Sequence, residues 1–164
     1  MTDLPLPERD GADVELVRSV AADTSGFSAT TRARLRAVDV LFEADLRGAD
    51  TAEIAESRTQ RSTAQTTLPE RARAFADLYA RHRADVDDAL HTHSEAWQLS
   101  RMPAVDRAIL RLGTAEILFS EQDTPPAIII REYVRIAEQI STEKSPAFVN
   151  ALLQRIADMK ELLG

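Results

Sequence analysis

The chain has 164 residues, enough for one domain with one real core, and its 44% hydrophobic but only 5% aromatic content leaves that core to aliphatic packing. It has no cysteine, which excludes disulfides, thiolate metal sites and cysteine nucleophiles and fits a reducing compartment. A net charge of −7 argues at first sight against a nucleic-acid partner.

Residues 1–28 read as an acidic extension. Pro5 and Pro7 break its start, and the stretch from Asp23 to Thr31 is rich in turn residues. It carries six acids and two bases, a net of −4 that leaves only −3 for residues 29–164, the domain proper. A short helix from Ala12 to Ala22 and disorder are both open to so acidic a segment. Eighteen of the twenty bases are Arg, which forks onto phosphate and stacks on bases better than Lys. A composition bias of the source genome explains that excess equally well.

The first helix of the domain is predicted to start near Thr30 or Thr31, either of which can cap it. Leu35, Val38, Leu41 and Phe42 form its apolar face, and Gly48 ends it. A second helix is predicted from Thr51 to about Arg61, followed by a polar connector, STAQTT. Pro69 then opens a helix running to about Leu90, with Ala72, Phe75, Ala76, Tyr79, Val86 and Leu90 inward. Pro103 opens the next, reaching about Ser120. It is apolar on two sides, so it is buried on two sides and is the central helix. Glu116 falls on its inward stripe and needs a buried partner. Pro125 and Pro126 start another, with Ile129, Tyr133, Ile136 and Ile140 in register. Ser145 can cap a last helix on which Phe148, Leu152, Ile156 and Leu163 align. No segment alternates with period two, so the fold class is all-α, a packed helical domain.

Nothing in the pattern points to catalysis. The five glycines lie too far apart for a phosphate-binding loop. Of the three histidines, His82, His91 and His93, the last two point about 200° apart on a helix and are poor joint metal ligands. No cofactor is expected. No apolar run nears the roughly 20 residues of a membrane span, and no leader pattern is visible, so a cytoplasmic protein is expected.

The stretch WQLSRMPAVDRAILRLGTAEIL, which starts at Trp97 and passes through Glu116, resembles the signature of the NusB family of transcription antitermination factors. SPAFVNALL, from Ser145 to Leu153, is similar to that family's FVNGVL element. ARLRAVDVLFEADLRG, from Ala33 to Gly48, resembles its arginine-rich first helix. The three blocks occur in the family's order and cover about residues 30–158. The resemblance implies about seven helices in two roughly perpendicular bundles. It also implies binding of boxA RNA in nascent ribosomal transcripts together with NusE, a small-subunit ribosomal protein, within the RNA polymerase antitermination complex. Family members occur as monomers or homodimers, so a homodimer is a further partner implied.

The resemblance also suggests site residues. It implies RNA contact for Arg34 and Arg36, where the residues alone suggest a solvated helix start; Arg32 shares a face with Arg36 but matches a family arginine less well. The family often has more bases just upstream, whereas GFSATT stands here, which predicts weaker RNA binding by the protein alone. Phe42 and Phe148 match positions near the family's RNA and partner surface, where a ring offers a base a stacking face worth roughly 1–3 kcal/mol; both also sit on apolar stripes and fit a core role equally well. Lys144 stands where many members have an acid and should help bind phosphate. Asp106 and Arg111 match the partner side, with a helix-dipole acid and an internal ion pair as their ordinary readings. Asn150 reads as structural.

Two other functions compete. The same domain fronts RNA cytosine methyltransferases, but this sequence has neither their catalytic domain nor a cysteine, which leaves only the RNA-binding half of a split enzyme. A protein-interaction module with weakened RNA binding would fit the thin arginine cluster, and the acidic extension competing for the arginine face is a related expectation.

Overall fold

In the computed structural model, residues 23–60, 67–94 and 97–163 are described. The expected helix at Ala12–Ala22 lies outside them, as does nearly all of the polar connector. Among the described residues there are seven α-helices, one short 3-10 turn and no strand.

Helix α1, Ala29–Arg47, begins at Ser28, whose Oγ accepts the Thr31 N–H at 3.1 Å. The cap is therefore Ser28 rather than Thr30 or Thr31, and the Thr31 hydroxyl donates instead to Glu132. Gly48 ends the helix at φ 63°, and the Ala49 N–H reaches back to the Ala44 carbonyl. That left-handed turn favours glycine, as expected. The folded unit starts before residue 29, since Phe27 is buried and its ring lies under the Arg135 guanidinium at 5.2 Å.

Helix α2, Thr51–Gln60, is started by Asp50, whose Oδ1 accepts the Ala52 N–H. The single helix expected from Pro69 to Leu90 is instead two: α3, Glu70–Arg81, and α4, Arg83–His93. The break is at His82, with φ −116° and ψ 21°. No glycine or proline marks it. His82 stacks parallel on Phe119 with ring centroids 4.0 Å apart, and the Tyr79 hydroxyl donates across the break to Asp87 at 3.0 Å. Packing sets this bend, and it leaves Val86 and Leu90 fully buried beyond the turn.

A 3-10 turn, Leu99–Arg101, leads to α5, Ala104–Phe119, which packs against α1, α3, α4, α6 and α7 and is the central helix. Helices α6, Pro126–Ile140, and α7, Ser145–Leu163, complete the chain. Helices α1, α2 and α3 pack on one another, as do α5, α6 and α7, so α5 is shared by two helical groups. Close approach of α5 and α7 needs Gly113, where a Cβ would sit 2.8 Å from a Leu153 methyl. Phe148, Leu152 and Ile156 are inward as expected; Leu163 is 80% exposed, because α7 outruns the helices it packs against.

Candidate nucleic-acid interface

The first turns of α1 and α3 lie side by side and bring arginines together. Arg32 is exposed and its Nη1 donates to the Phe27 carbonyl at 2.9 Å. Arg36, one turn on, is half-buried. Arg71, in the first turn of α3, is exposed and donates to the Thr30 hydroxyl at 2.6 Å. The three line an open groove of about 550 Å³ whose remaining walls are Thr24, Ala29, Ala33, Leu35 and Pro69. Among the described residues no acid lines it, although the chain as a whole is acidic.

Arg34 faces the other way. It is only 4% exposed, and its guanidinium forks onto Glu116, Nε to Oε2 at 2.8 Å and Nη2 to Oε1 at 3.0 Å. Its Nη1 donates to Thr31 Oγ1, whose hydroxyl in turn donates to Glu132 at 2.7 Å, and the Tyr133 hydroxyl donates to Glu116 at 2.5 Å. Burial alone would ease the proton off Arg34, but the hydrogen bonds and charge of Glu116 outweigh it and hold the guanidinium above its usual value. Burial and the Glu116 charge push the Tyr133 hydroxyl well above the ordinary tyrosine range, so it stays a donor. Arg34 thus has no surface to offer an RNA. It locks α1 to α5 and α6, and it is the buried partner that Glu116 was expected to need.

Phe42 is 1% exposed and belongs to the core. Phe148 is 5% exposed and meets Trp97 edge-on at 4.9 Å. Neither ring presents a face to a base, so of the two roles open to them the structure gives both the core role.

Asp106 is not displayed to a partner. It is fully buried, accepting from Ser141 Oγ at 2.5 Å and from Ser145 Oγ at 2.9 Å. It pins the turn between α6 and α7 to the start of α5. Burial raises its carboxyl above the ordinary value against the opposing pull of those two hydroxyls. Ser145 spends its hydroxyl on this turn and is itself the first residue of α7. Arg111 is held by Asp87 at 3.0 Å and lies 3.7 Å from Asp45, an internal ion pair. Lys144 is exposed on the α6–α7 turn, and none of the groove's walls comes from that turn. Asn150 is exposed on α7.

Sequence reasoning missed Arg71. Nothing near it distinguishes it from other surface arginines; only the packing of α3 beside the start of α1 reveals it. Among the described residues no group of histidines and acids is placed to hold a metal, and no helix is long and apolar enough to cross a membrane.

Among the described residues, seven helices grouped around a central one, with three arginines lining a groove at the start of the first, define an all-α helical domain. The NusB family model matches residues 31–158. The transcription antitermination protein NusB of Kineococcus radiotolerans is 45% identical over 138 residues, covering 84% of this chain and 99% of that protein. That of Saccharopolyspora erythraea is 44% identical over 137 residues, covering 84% and 92%. Among solved structures, T. maritima NusB superposes with a TM-score of 0.66 at 34% identity, covering 80% of this chain and 92% of that one. A structure of the antitermination factors NusB and NusE in complex with dsRNA matches with a TM-score of 0.64 at 28% identity, covering 80% and 99%. The chain belongs to the NusB family.

Proposed function

We propose that this protein is a transcription antitermination factor that binds boxA RNA of nascent ribosomal transcripts together with NusE and acts within the RNA polymerase antitermination complex. It works in the cytoplasm as an adaptor and not as an enzyme. Family membership carries this reading, and the groove edged by Arg32 and Arg36 supports it. A structural neighbour, NusB, is known in complex with NusE and dsRNA.

In this reading Arg32, Arg36 and Lys144 supply cationic contacts to phosphate, which position the RNA without reading its sequence. Arg34, Phe42, Phe148 and Asp106 act through the fold. Arg111 stays with Asp45 and Asp87.

Titration of boxA-containing RNA with the protein, with and without NusE, tests the proposal. The expected result is binding that strengthens when NusE is present. No binding at low salt in either case overturns it.

A further inference from the structure

We propose that Arg71 completes a nucleotide-sized site on this face, in which the α1–α3 groove takes one unstacked nucleotide of a single-stranded RNA. The inference rests on the RNA-binding function proposed above and goes beyond it in naming the residue, the groove and the form of the RNA.

Three observations converge. Arg71 comes from a different helix from Arg32 and Arg36, so the three guanidiniums edge one groove from two sides rather than lining one helix. Such an arrangement encloses a phosphate instead of merely attracting it, and a guanidinium offers five N–H donors, of which the bond to Thr30 uses one. Among the described residues the groove lining holds three arginines and no acid, in a chain of net charge −7, so positive charge is concentrated along this edge.

The third observation selects the form of the ligand. Apart from Thr24, the walls between the arginines are Ala29, Ala33, Leu35 and Pro69, whose side chains offer only carbon. A duplex presents phosphates and sugars on its outside and keeps its bases stacked, so it would leave this surface unused. A single strand can turn a base or ribose onto Leu35 and Pro69 while its phosphate meets Arg71 and Arg32. The bond from Arg71 to Thr30 holds the guanidinium at the groove edge before the ligand arrives, which lowers the ordering cost of binding.

The test is RNA titration by fluorescence anisotropy, in the presence of NusE, over a range of salt concentrations. The proteins are the wild type, Arg71→Ala, Arg71→Lys, Arg32→Ala and Arg81→Ala. Arg81 is exposed at the far end of α3 and controls for the loss of one positive charge. Arg71→Ala should weaken binding about fivefold to tenfold and lower the slope of log affinity against log salt by about 0.7, the value for one phosphate contact on a single strand. Arg71→Lys should recover part of the affinity, and Arg81→Ala should resemble the wild type. A hairpin that pairs the same nucleotides should bind more weakly than the open strand. If Arg32→Ala weakens binding and Arg71→Ala does not, the groove proposal is overturned while the RNA-binding function stands. Equal affinity for open strand and hairpin overturns the unstacked nucleotide. If the wild type binds no RNA even with NusE, the function itself fails, and the groove proposal with it.

Discussion

Arg34 and Glu116 form a two-pronged ion pair in the interior, with both side chains about 5% exposed and both carboxylate oxygens engaged. The pair joins α1 to the central helix α5, and Thr31, Glu132 and Tyr133 extend it to α6. A charge taken out of water at each end is tolerated because Thr31 and Tyr133 add hydrogen bonds to those the pair makes itself. The start of α1, which carries the groove, is therefore anchored by buried polar bonds rather than by apolar contact alone.

Removing one partner should be severe. Glu116→Ala leaves the Arg34 guanidinium buried without its carboxylate, and Arg34→Ala leaves the reverse. Each should destabilise the protein by about 3–5 kcal/mol. The double variant Arg34→Met with Glu116→Leu should recover much of that loss, because two apolar groups leave no stranded charge. Urea unfolding midpoints check this. Under conditions where the Arg34→Ala protein remains folded, its RNA binding should keep the wild-type salt slope, since Arg34 makes no phosphate contact.

Asp106 should make the protein more stable in mild acid. Burial raises its folded carboxyl above 3.8, so the native state holds that proton more tightly than the unfolded chain. The resulting stability is complete below the unfolded value and is lost as pH rises through the folded one. Asp106→Asn keeps an acceptor for Ser141 or Ser145 and carries no charge, so its contribution should not change with pH. Asp106→Ala removes the acceptor of both hydroxyls, which keep only the bonds among Ser141, Thr142 and Ser145, and should cost about 1–3 kcal/mol. Denaturation of the wild type and both variants between about pH 4 and about pH 7 compares the slopes.

Glu132 should show the opposite sign. Burial pushes its carboxyl up, but the Thr31 and Arg131 hydrogen bonds and the charges of Arg135 and Arg131 outweigh that and hold it below 4.5. Its stabilisation is present above the unfolded value and lost as pH falls through the folded one. Glu132→Gln should therefore lose less stability than the wild type on going from about pH 6 to about pH 3. A steeper acid loss in the variant would contradict the assignment.

The helix boundaries most legible in the sequence were those set by backbone chemistry. Pro103 and the Pro125–Pro126 pair start helices, and Gly48 stops one with the conformation a glycine allows. The break at His82 was not legible, because its cause is a ring stack on Phe119, a residue 37 positions away in sequence. The first helix carried a signal that composition obscured. Arg34 stands four residues before Val38 and seven before Leu41, on the same inward stripe, and Glu116 was already seen to need a buried partner. Arginines at alternate positions suggest a solvated or RNA-facing cluster, whereas the stripe assigns Arg34 inward and leaves Arg32 and Arg36 outside. Phe42 and Phe148 obeyed their stripes. The burial of Asp106 is not legible because a first-turn acid is ordinarily solvated, and only the arrival of Ser141 and Ser145 from the distant α6–α7 turn encloses it.

Lys144 offers a test of the basic face away from the groove. It is exposed on the turn that Asp106 pins from below, so its backbone is held while its side chain is in water. A charge in that setting contributes little to folding, and Lys144→Glu should change stability by less than about 0.5 kcal/mol. Its effect on a polyanion is different. Reversing the charge replaces attraction with repulsion, and loss of one phosphate contact lowers the salt slope for a single strand by about 0.7. RNA affinity with NusE present should fall several-fold at low salt, and the gap between variant and wild type should narrow as salt rises. Unchanged affinity across the salt series would remove Lys144 from the RNA face and confine that face to the groove between α1 and α3.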